Sequence, residues 1–420
     1  MSERTPVTAV KGTKDILPGE VEKWQRLESI ARRTFEVYGF REIRTPIIEH
    51  TELFEKGTGE TSDVVTKEMY TFTDKGGRSI TLRPEYTPSI ARAIMEHRLD
   101  LKPATLRFYS IGPMFRYDRP QKGRYRQFHQ INVEIFGEKD PAADAELVEM
   151  AHFLLANLNV SGTETLINSV GCRKCRPLYS QALRKAVAER IDLFCPDCQR
   201  KAKLNPLRIF DCKVETCRQA ARDLPLITDF LCDECRDHFA KFKAYLDLLG
   251  IKYTVEPRLV RGLDYYTKTT FEIVLPSAGA QSSILGGGRY DDMMKDFGGP
   301  DIPGTGFAMG VERALSVSDI PVEKRRSVYV AYLGEEGKKA GLQIARFLRG
   351  HGVETIIEYQ SRGMKAHFSR AAKLQSEWVL VAGEEELQRG RFGLKEMSSG
   401  RQSEGTPEEL LALLKGEKAG

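Results

Sequence analysis

Apolar side chains at Val21, Trp24, Leu27, Ala31 and Phe35 recur at helical spacing, and Gly39 stands where a left-handed C-terminal cap belongs. Residues 40–45 then read as an extended segment. Alternation predicts strands at 79–83, 106–111 and 130–136, with the irregular turn signals of an antiparallel sheet that carries long functional loops. A helix over 142–158 closes this block. Residues 172–248 look mostly helical and interrupt the β-rich region, after which strand patterns return at 253–260 and 269–274. Gly286-Gly287-Gly288 reads as a glycine-rich turn, and 305–316 as a helix that ends the core.

After Pro321 the pattern changes. Short apolar strands at 327–332 and 378–382 sit beside helical stretches at 335–349 and 365–374, the mark of a small α/β domain with βαβ units. Residues 321–326 are the best linker, which divides the chain into 1–170, 171–250, 251–320 and 326–420. A chain of 420 residues is too long for one small core. Its 41% apolar and 29% charged residues fit an ordinary globular protein and exclude a disordered one. No apolar run approaches the ~20 residues that span a bilayer, so the expectation is a cytoplasmic enzyme with no membrane partner.

Net charge changes this picture little, because +5 over the whole length permits a nucleic-acid partner without arguing for one. Its local distribution says more. Arg116, Arg119, Lys122, Arg124 and Arg126 crowd one loop against a single acid, Asp118. That loop joins two predicted strands, 106–111 and 130–136, and the second alternates Gln130, Asn132 and Glu134 on one face. An arginine at a strand end beside cations and an aromatic suits phosphate binding, although a solvated hairpin would carry the same charges. Glycines at Gly286-Gly287-Gly288 and Gly304-Thr305-Gly306, followed by Arg313, would let backbone approach a ligand closely.

Together these pieces resemble the three signature motifs of class II aminoacyl-tRNA synthetases: motif 1 at 39–46, motif 2 at 107–134 and motif 3 at 304–313. Leu259-Val260-Arg261-Gly262-Leu263-Asp264-Tyr265-Tyr266 looks like the histidine-specific motif of the histidyl-tRNA synthetase family. Arg83-Pro84-Glu85-Tyr86-Thr87 fits the same family, which usually has a small residue where Tyr86 stands. The resemblance implies an α+β class II synthetase catalytic core, an antiparallel sheet flanked by helices, with a helical insertion and a C-terminal α/β anticodon-binding domain. It implies a homodimer that activates histidine with ATP and Mg²⁺ and delivers it to tRNA(His).

By the same resemblance Arg116 grips the α-phosphate, Arg313 and Phe128 sandwich adenine, and Arg124 lies near ATP. Arg261 reaches the α-phosphate from the other side, so Arg116 and Arg261 are the expected catalytic pair. Glu134 and Tyr266 would meet the imidazole, Glu85, Thr87 and Gln130 the amino group, and Tyr265 would line the pocket. Gln121 and Lys122 would approach the acceptor end of the tRNA. A regulatory paralogue without synthetase activity usually degrades the motifs that hold Arg261 and Arg313, and both are present here. A zinc-containing RNA-binding protein without catalysis would leave residues 261–266 without a purpose.

All eight cysteines fall in the predicted insertion as close pairs: Cys172 with Cys175, Cys195 with Cys198, Cys212 with Cys217, and Cys232 with Cys235. They offer thiolates for one or two structural Zn²⁺ sites, and the first two pairs have the spacing of a zinc ribbon. Free buried thiols in a helical insertion are the alternative.

Overall fold

The structure, a computed structural model, describes residues 7–59, 62–101, 105–119, 123–322, 326–360 and 362–416. Contacts divide the chain into two compact units, Met1–Pro321 and Val322–Gly420. Among the described residues no helix is long and apolar enough to cross a membrane.

The first helix, Val21–Val37, buries Trp24, Leu27, Ala31 and Phe35. Burial of Leu27 and Phe35 contributes roughly 1.5–3 kcal/mol each. Gly39 follows at φ +78°, and Phe40 donates its backbone N–H to the Phe35 carbonyl at 2.9 Å, which closes the helix end. The extended segment after it is short. Only Arg41–Glu42 forms a strand, parallel to the next, before Ile43 bonds the Tyr109 carbonyl at 2.9 Å.

That strand edges an eight-stranded sheet. Next come Leu106–Phe115 and Gln127–Phe136, then Gly304–Gly310, Ser283–Arg289, Thr267–Val274, Glu164–Ser169 and Thr254–Val255. The inner neighbours are antiparallel and both edge pairs are parallel. Helices Val21–Val37 and Pro141–Asn157 share one apolar core with the sheet. A smaller sheet joins Ile48–His50, Ser79–Leu82 and Tyr70–Thr73.

Three expectations change here. Of the strand expected over 253–260 only Thr254–Val255 pairs, and the rest runs as turn and loop. The three glycines 286–288 lie inside a central strand, not a turn: Arg261 crowds Gly286, strand Gly304–Gly310 crowds Gly287, and Thr269, Thr270 and Tyr266 crowd Gly288. The stretch 305–316 is a strand up to Gly310, and only Val311–Val317 is helix.

Between Glu164–Ser169 and Thr254–Val255 the described chain forms helices Arg176–Ala188, Pro196–Leu204, Glu215–Ala220 and Asp233–Leu248, with short 3₁₀ turns between them. The last packs against Pro141–Asn157.

The second unit holds a five-stranded sheet: Glu354–Ile357, Ser327–Tyr332, Trp378–Ala382, Phe392–Glu396 and Gln402–Gly405. The first three are parallel, with helices Gly334–Gly350 and Met364–Lys373 as the crossovers. The two antiparallel strands beyond them have weak alternation and were not expected from the sequence.

Candidate active site

The long hairpin pairs from Leu106↔Phe136 to Phe115↔Gln127, so its register places Arg116 just past the strand end. There the Arg116 Nε donates to the Pro84 carbonyl at 3.0 Å and its guanidinium lies 5.4 Å from the Phe128 ring centre. Gln130 and Asn132 point from the same sheet face into a cavity of about 550 Å³. Glu134, next in that alternation, lies buried beneath it. Gly306 faces Glu134 across the strands, and a Cβ there would come within 2.0 Å of Glu134 Oε2. Glycine at 306 therefore makes room for the carboxylate.

One end of the cavity is rich in acceptors. Glu85 accepts from Thr58 Oγ1 at 2.7 Å and from the Tyr265 hydroxyl at 2.9 Å. Glu134 Oε1 accepts from Thr87 Oγ1 at 2.5 Å and from Asn132 Nδ2. Burial pushes the Glu134 carboxyl well above the usual carboxylate range and raises that of Glu85 against the help of Thr58 and Arg116. Glu134 Oε2 and Gln130 Oε1 are buried without a hydrogen-bond partner. A buried acceptor left unmet costs ~1–3 kcal/mol, so this end favours a ligand that brings N–H groups or positive charge.

The other end is cationic. Arg261 pairs with Glu272 at 3.2 Å, and its guanidinium lies flat where a Cβ on Gly286 would stand, 2.5 Å from Nη1. Arg313 Nη1 donates to the Ser283 carbonyl at 2.9 Å. Burial, and after it the neighbouring Arg124, lowers the Arg313 guanidinium below its ordinary value. Cations that repel one another in this way are relieved by a polyanion.

Of the residues singled out from the sequence, Glu85, Thr87, Arg116, Arg124, Phe128 and Gln130 line this cavity, as do Arg261, Tyr265, Tyr266 and Arg313. Gln121 and Lys122 lie outside the described residues. Tyr86 turns away from the cavity. Its ring stacks under Arg83 at 4.2 Å, its hydroxyl accepts from Arg83 Nη2 at 2.9 Å, and Gly112 leaves it space. Sequence reasoning missed Thr58, Glu272, Arg176 and Arg208. Thr58 and Glu272 act through single contacts across the fold, and no motif marks them.

The cysteines gather into two quartets whose sulfurs all lie within 4.8 Å of one another. Cys172, Cys175, Cys232 and Cys235 form one; Cys195, Cys198, Cys212 and Cys217 form the other. The pairing is nested, first with fourth and second with third, so the ribbon of the first two pairs does not form. Helix Arg176–Ala188 carries Cys195 away from Cys175, and the chain returns only at Cys232. Sulfur–sulfur distances of 3.7 Å for Cys172–Cys175, 3.9 Å for Cys172–Cys232 and 4.0 Å for Cys195–Cys212 are near the ~3.8 Å edge of a tetrahedron with Zn–S of about 2.3 Å. Backbone N–H groups of Cys195 and Cys232 donate to the sulfurs of Cys217 and Cys175, both at 3.1 Å, as thiolates require.

Residues 12–314 match the family model described as histidyl-tRNA synthetase, and residues 327–417 the one described as anticodon binding domain. A histidine–tRNA ligase of Desulforamulus reducens is 48% identical over 97% of this chain and 99% of its own length. Another, of Desulforudis audaxviator, is 46% identical over 99% of this chain and 100% of its own. The structure of apo S. aureus histidyl-tRNA synthetase superposes with a TM-score of 0.82 at 34% identity, covering 98% of this chain and 100% of that one.

Proposed function

The chain belongs to the histidyl-tRNA synthetase family, and from its activity as a histidine–tRNA ligase we propose how the cavity divides the work. The reaction activates histidine with ATP to histidyl-adenylate and pyrophosphate, then transfers histidine to the 3′ end of tRNA(His). In the first step a histidine carboxylate oxygen bonds to the α-phosphorus as the bond to pyrophosphate breaks. The substrate brings its own nucleophile, so the protein contributes position and electrostatics.

The observation that carries the assignment is the polarity of one cavity, with acceptors at one end and guanidiniums at the other. Histidine lies at the acceptor end. Glu85, Thr87 and Gln130 take its ammonium, Glu134 and Tyr266 its ring, and Tyr265 holds Glu85 in place while lining the pocket. ATP lies at the cationic end, with adenine between Phe128 and Arg313 and with Arg124 beside its phosphates. Arg116 and Arg261 stabilise the charge that develops on the α-phosphate. Mg²⁺ accompanies ATP. Such an ion keeps phosphate and water among its ligands.

Gln121 and Lys122 guide the acceptor end of the tRNA, and the second unit binds its anticodon region. The working enzyme is a cytoplasmic homodimer. Each cysteine quartet holds one structural Zn²⁺, which the sulfur spacing supports. Histidine-dependent exchange of labelled pyrophosphate into ATP, followed by charging of tRNA, tests the whole scheme. Folded enzyme supplied with Mg²⁺ that gave no exchange would defeat it.

A further inference from the structure

Residues 259–266, which carry Arg261, Tyr265 and Tyr266, adopt bends and turns with no regular structure of their own. Something outside them must fix their shape. From the core, Asp264 N–H bonds the Thr58 carbonyl at 3.1 Å and Asn168 Nδ2 the Leu259 carbonyl at 3.0 Å, and two arginines of the cysteine-rich insertion hold the rest. Arg176, directly after Cys175, donates from Nη1 to the Asp264 carbonyl at 3.3 Å and from Nη2 to the Tyr266 carbonyl. Arg208, on the 3₁₀ turn Pro206–Asp211 between Cys198 and Cys212, donates from Nη1 to the Arg261 carbonyl at 3.3 Å. Its Nη2 and Nε reach Asp264 Oδ1 at 2.8 and 3.1 Å, and Asn205 Nδ2 reaches the same oxygen at 2.7 Å. Each quartet thus presents one arginine fork to the segment that carries Arg261 at the cationic end of the cavity and Tyr265 and Tyr266 at the histidine end.

Building on the zinc reading above, we infer that the two metal sites are energetically coupled to histidine binding through Arg176 and Arg208. The core of the insertion packs Tyr179, Leu183, Val187, Phe194, Ile209, Leu224, Ile227 and Leu231 round Cys175, Cys198, Cys217 and Cys235, so the sulfurs sit among its buried side chains. A core built round thiolates is closed by the ion they share, and metal binding is then folding energy. Cys212 directly follows the turn that carries Arg208, and it borders the cavity itself. Loss of the ion frees that turn, then Arg208, then residues 261–266. Of the nucleotide contacts, Arg116, Phe128 and Arg313 lie on or beside the central sheet, and Arg261 alone lies on this segment, whereas Tyr265 and Tyr266 there both face histidine. Metal loss therefore weakens histidine binding more than ATP binding.

Coupling is reciprocal, so bound histidine must tighten the hold on zinc by the same factor, on the order of 10-fold. The test is the equilibrium distribution of zinc between the wild-type holoenzyme and the chelator 4-(2-pyridylazo)resorcinol. It is run with L-histidine, with D-histidine (which binds free zinc equally) and with ATP alone. L-histidine is expected to raise zinc retention on the order of 10-fold over D-histidine, while ATP alone leaves it within about twofold. In Arg208→Lys, which keeps the charge but loses the fork, that protection falls and the KM for histidine rises while the KM for ATP stays. Zinc present but indifferent to L-histidine overturns the coupling and leaves the metal reading standing. Protection undiminished in Arg208→Lys and in Arg176→Lys overturns the route through these arginines. Protein purified without chelator that contains no zinc overturns the metal reading itself, and the inference falls with it.

Discussion

The central sheet carries two buried sets of charges only a few residues apart, and they are finished differently. On strand Ser283–Arg289, Gly286 lies beneath Arg261 in the cavity, while Arg289 turns into the protein with no exposure. Arg289 forks onto Asp144 at 2.8 and 3.1 Å and gives its remaining N–H groups to the Glu138 and Asp140 carbonyls and to Asp291. His238, from the last helix of the insertion, completes Asp144 at 2.9 Å. Every strong donor and acceptor there is met. At the cavity Arg261 Nε, Gln130 Oε1 and Glu134 Oε2 are buried and unmet. The closed set holds the fold together; the open one carries a standing cost that a bound substrate can remove.

The largest effect should come from breaking the closed set. Asp144→Ala leaves the buried Arg289 with Asp291 as its one remaining carboxylate and takes an acceptor from His238, and should cost ~3–5 kcal/mol of stability, read from the urea midpoint. Arg261→Ala should invert that profile. Here kcat for pyrophosphate exchange should fall ~10²–10³-fold, as when a donor to developing negative charge is lost. Its urea midpoint should stay near wild type, because Arg261 has one ion pair, to the partly exposed Glu272. A variant of Asp144 with unchanged stability, or an Arg261 variant that unfolds, would erase the distinction.

The sequence displays these two sets unequally. The open set follows short motifs: Arg116 at a strand end, the alternation Gln130, Asn132 and Glu134, and the contiguous run from Arg261 to Tyr266. Such patterns survive in one dimension because one strand or one loop presents them. The closed set joins Asp144, His238 and Arg289 from a helix, the insertion and a strand, and no local pattern relates the three. The same limit hid the nested cysteine pairing, since spacing along the chain is silent about which pair returns to which. It hid Arg176 and Arg208 too, which look like ordinary surface cations of an insertion. Misreading 286–288 as a turn has a different cause. Glycines are compatible with turns, and here they serve close packing of Arg261 and of the neighbouring strand inside a sheet.

A smaller change separates the two ends of the open set. Glu85→Gln keeps the shape, reverses one of the two bonds now donated by Thr58 and Tyr265, and removes the carboxylate charge. A hydrogen bond to a charged group is worth ~1.5–3 kcal/mol, so the histidine KM should rise ~10–100-fold while the ATP KM holds. Equal changes in both constants would mean that Glu85 shapes the cavity as a whole.

The gentlest probe is pH, where the two sets should pull in opposite directions. Arg289 and His238 hold the Asp144 carboxyl, against its burial, far below the usual range. Its contribution is therefore complete above the unfolded value of about 3.9 and is lost as pH falls below it. Burial holds Glu134 well above the usual range, so the native state keeps a proton that the unfolded chain has already released. Stability from that group is present below about 4.3 and drains away as pH rises toward the folded-state value. Glu134→Gln removes this second slope alone. Measured by urea unfolding, the variant should lie closest to wild type at high proton concentration and gain on it steadily as pH rises above ~4.5. A constant offset across that window would mean that Glu134 is already ionised in the empty site, and that the cavity holds its charge without help from the substrate.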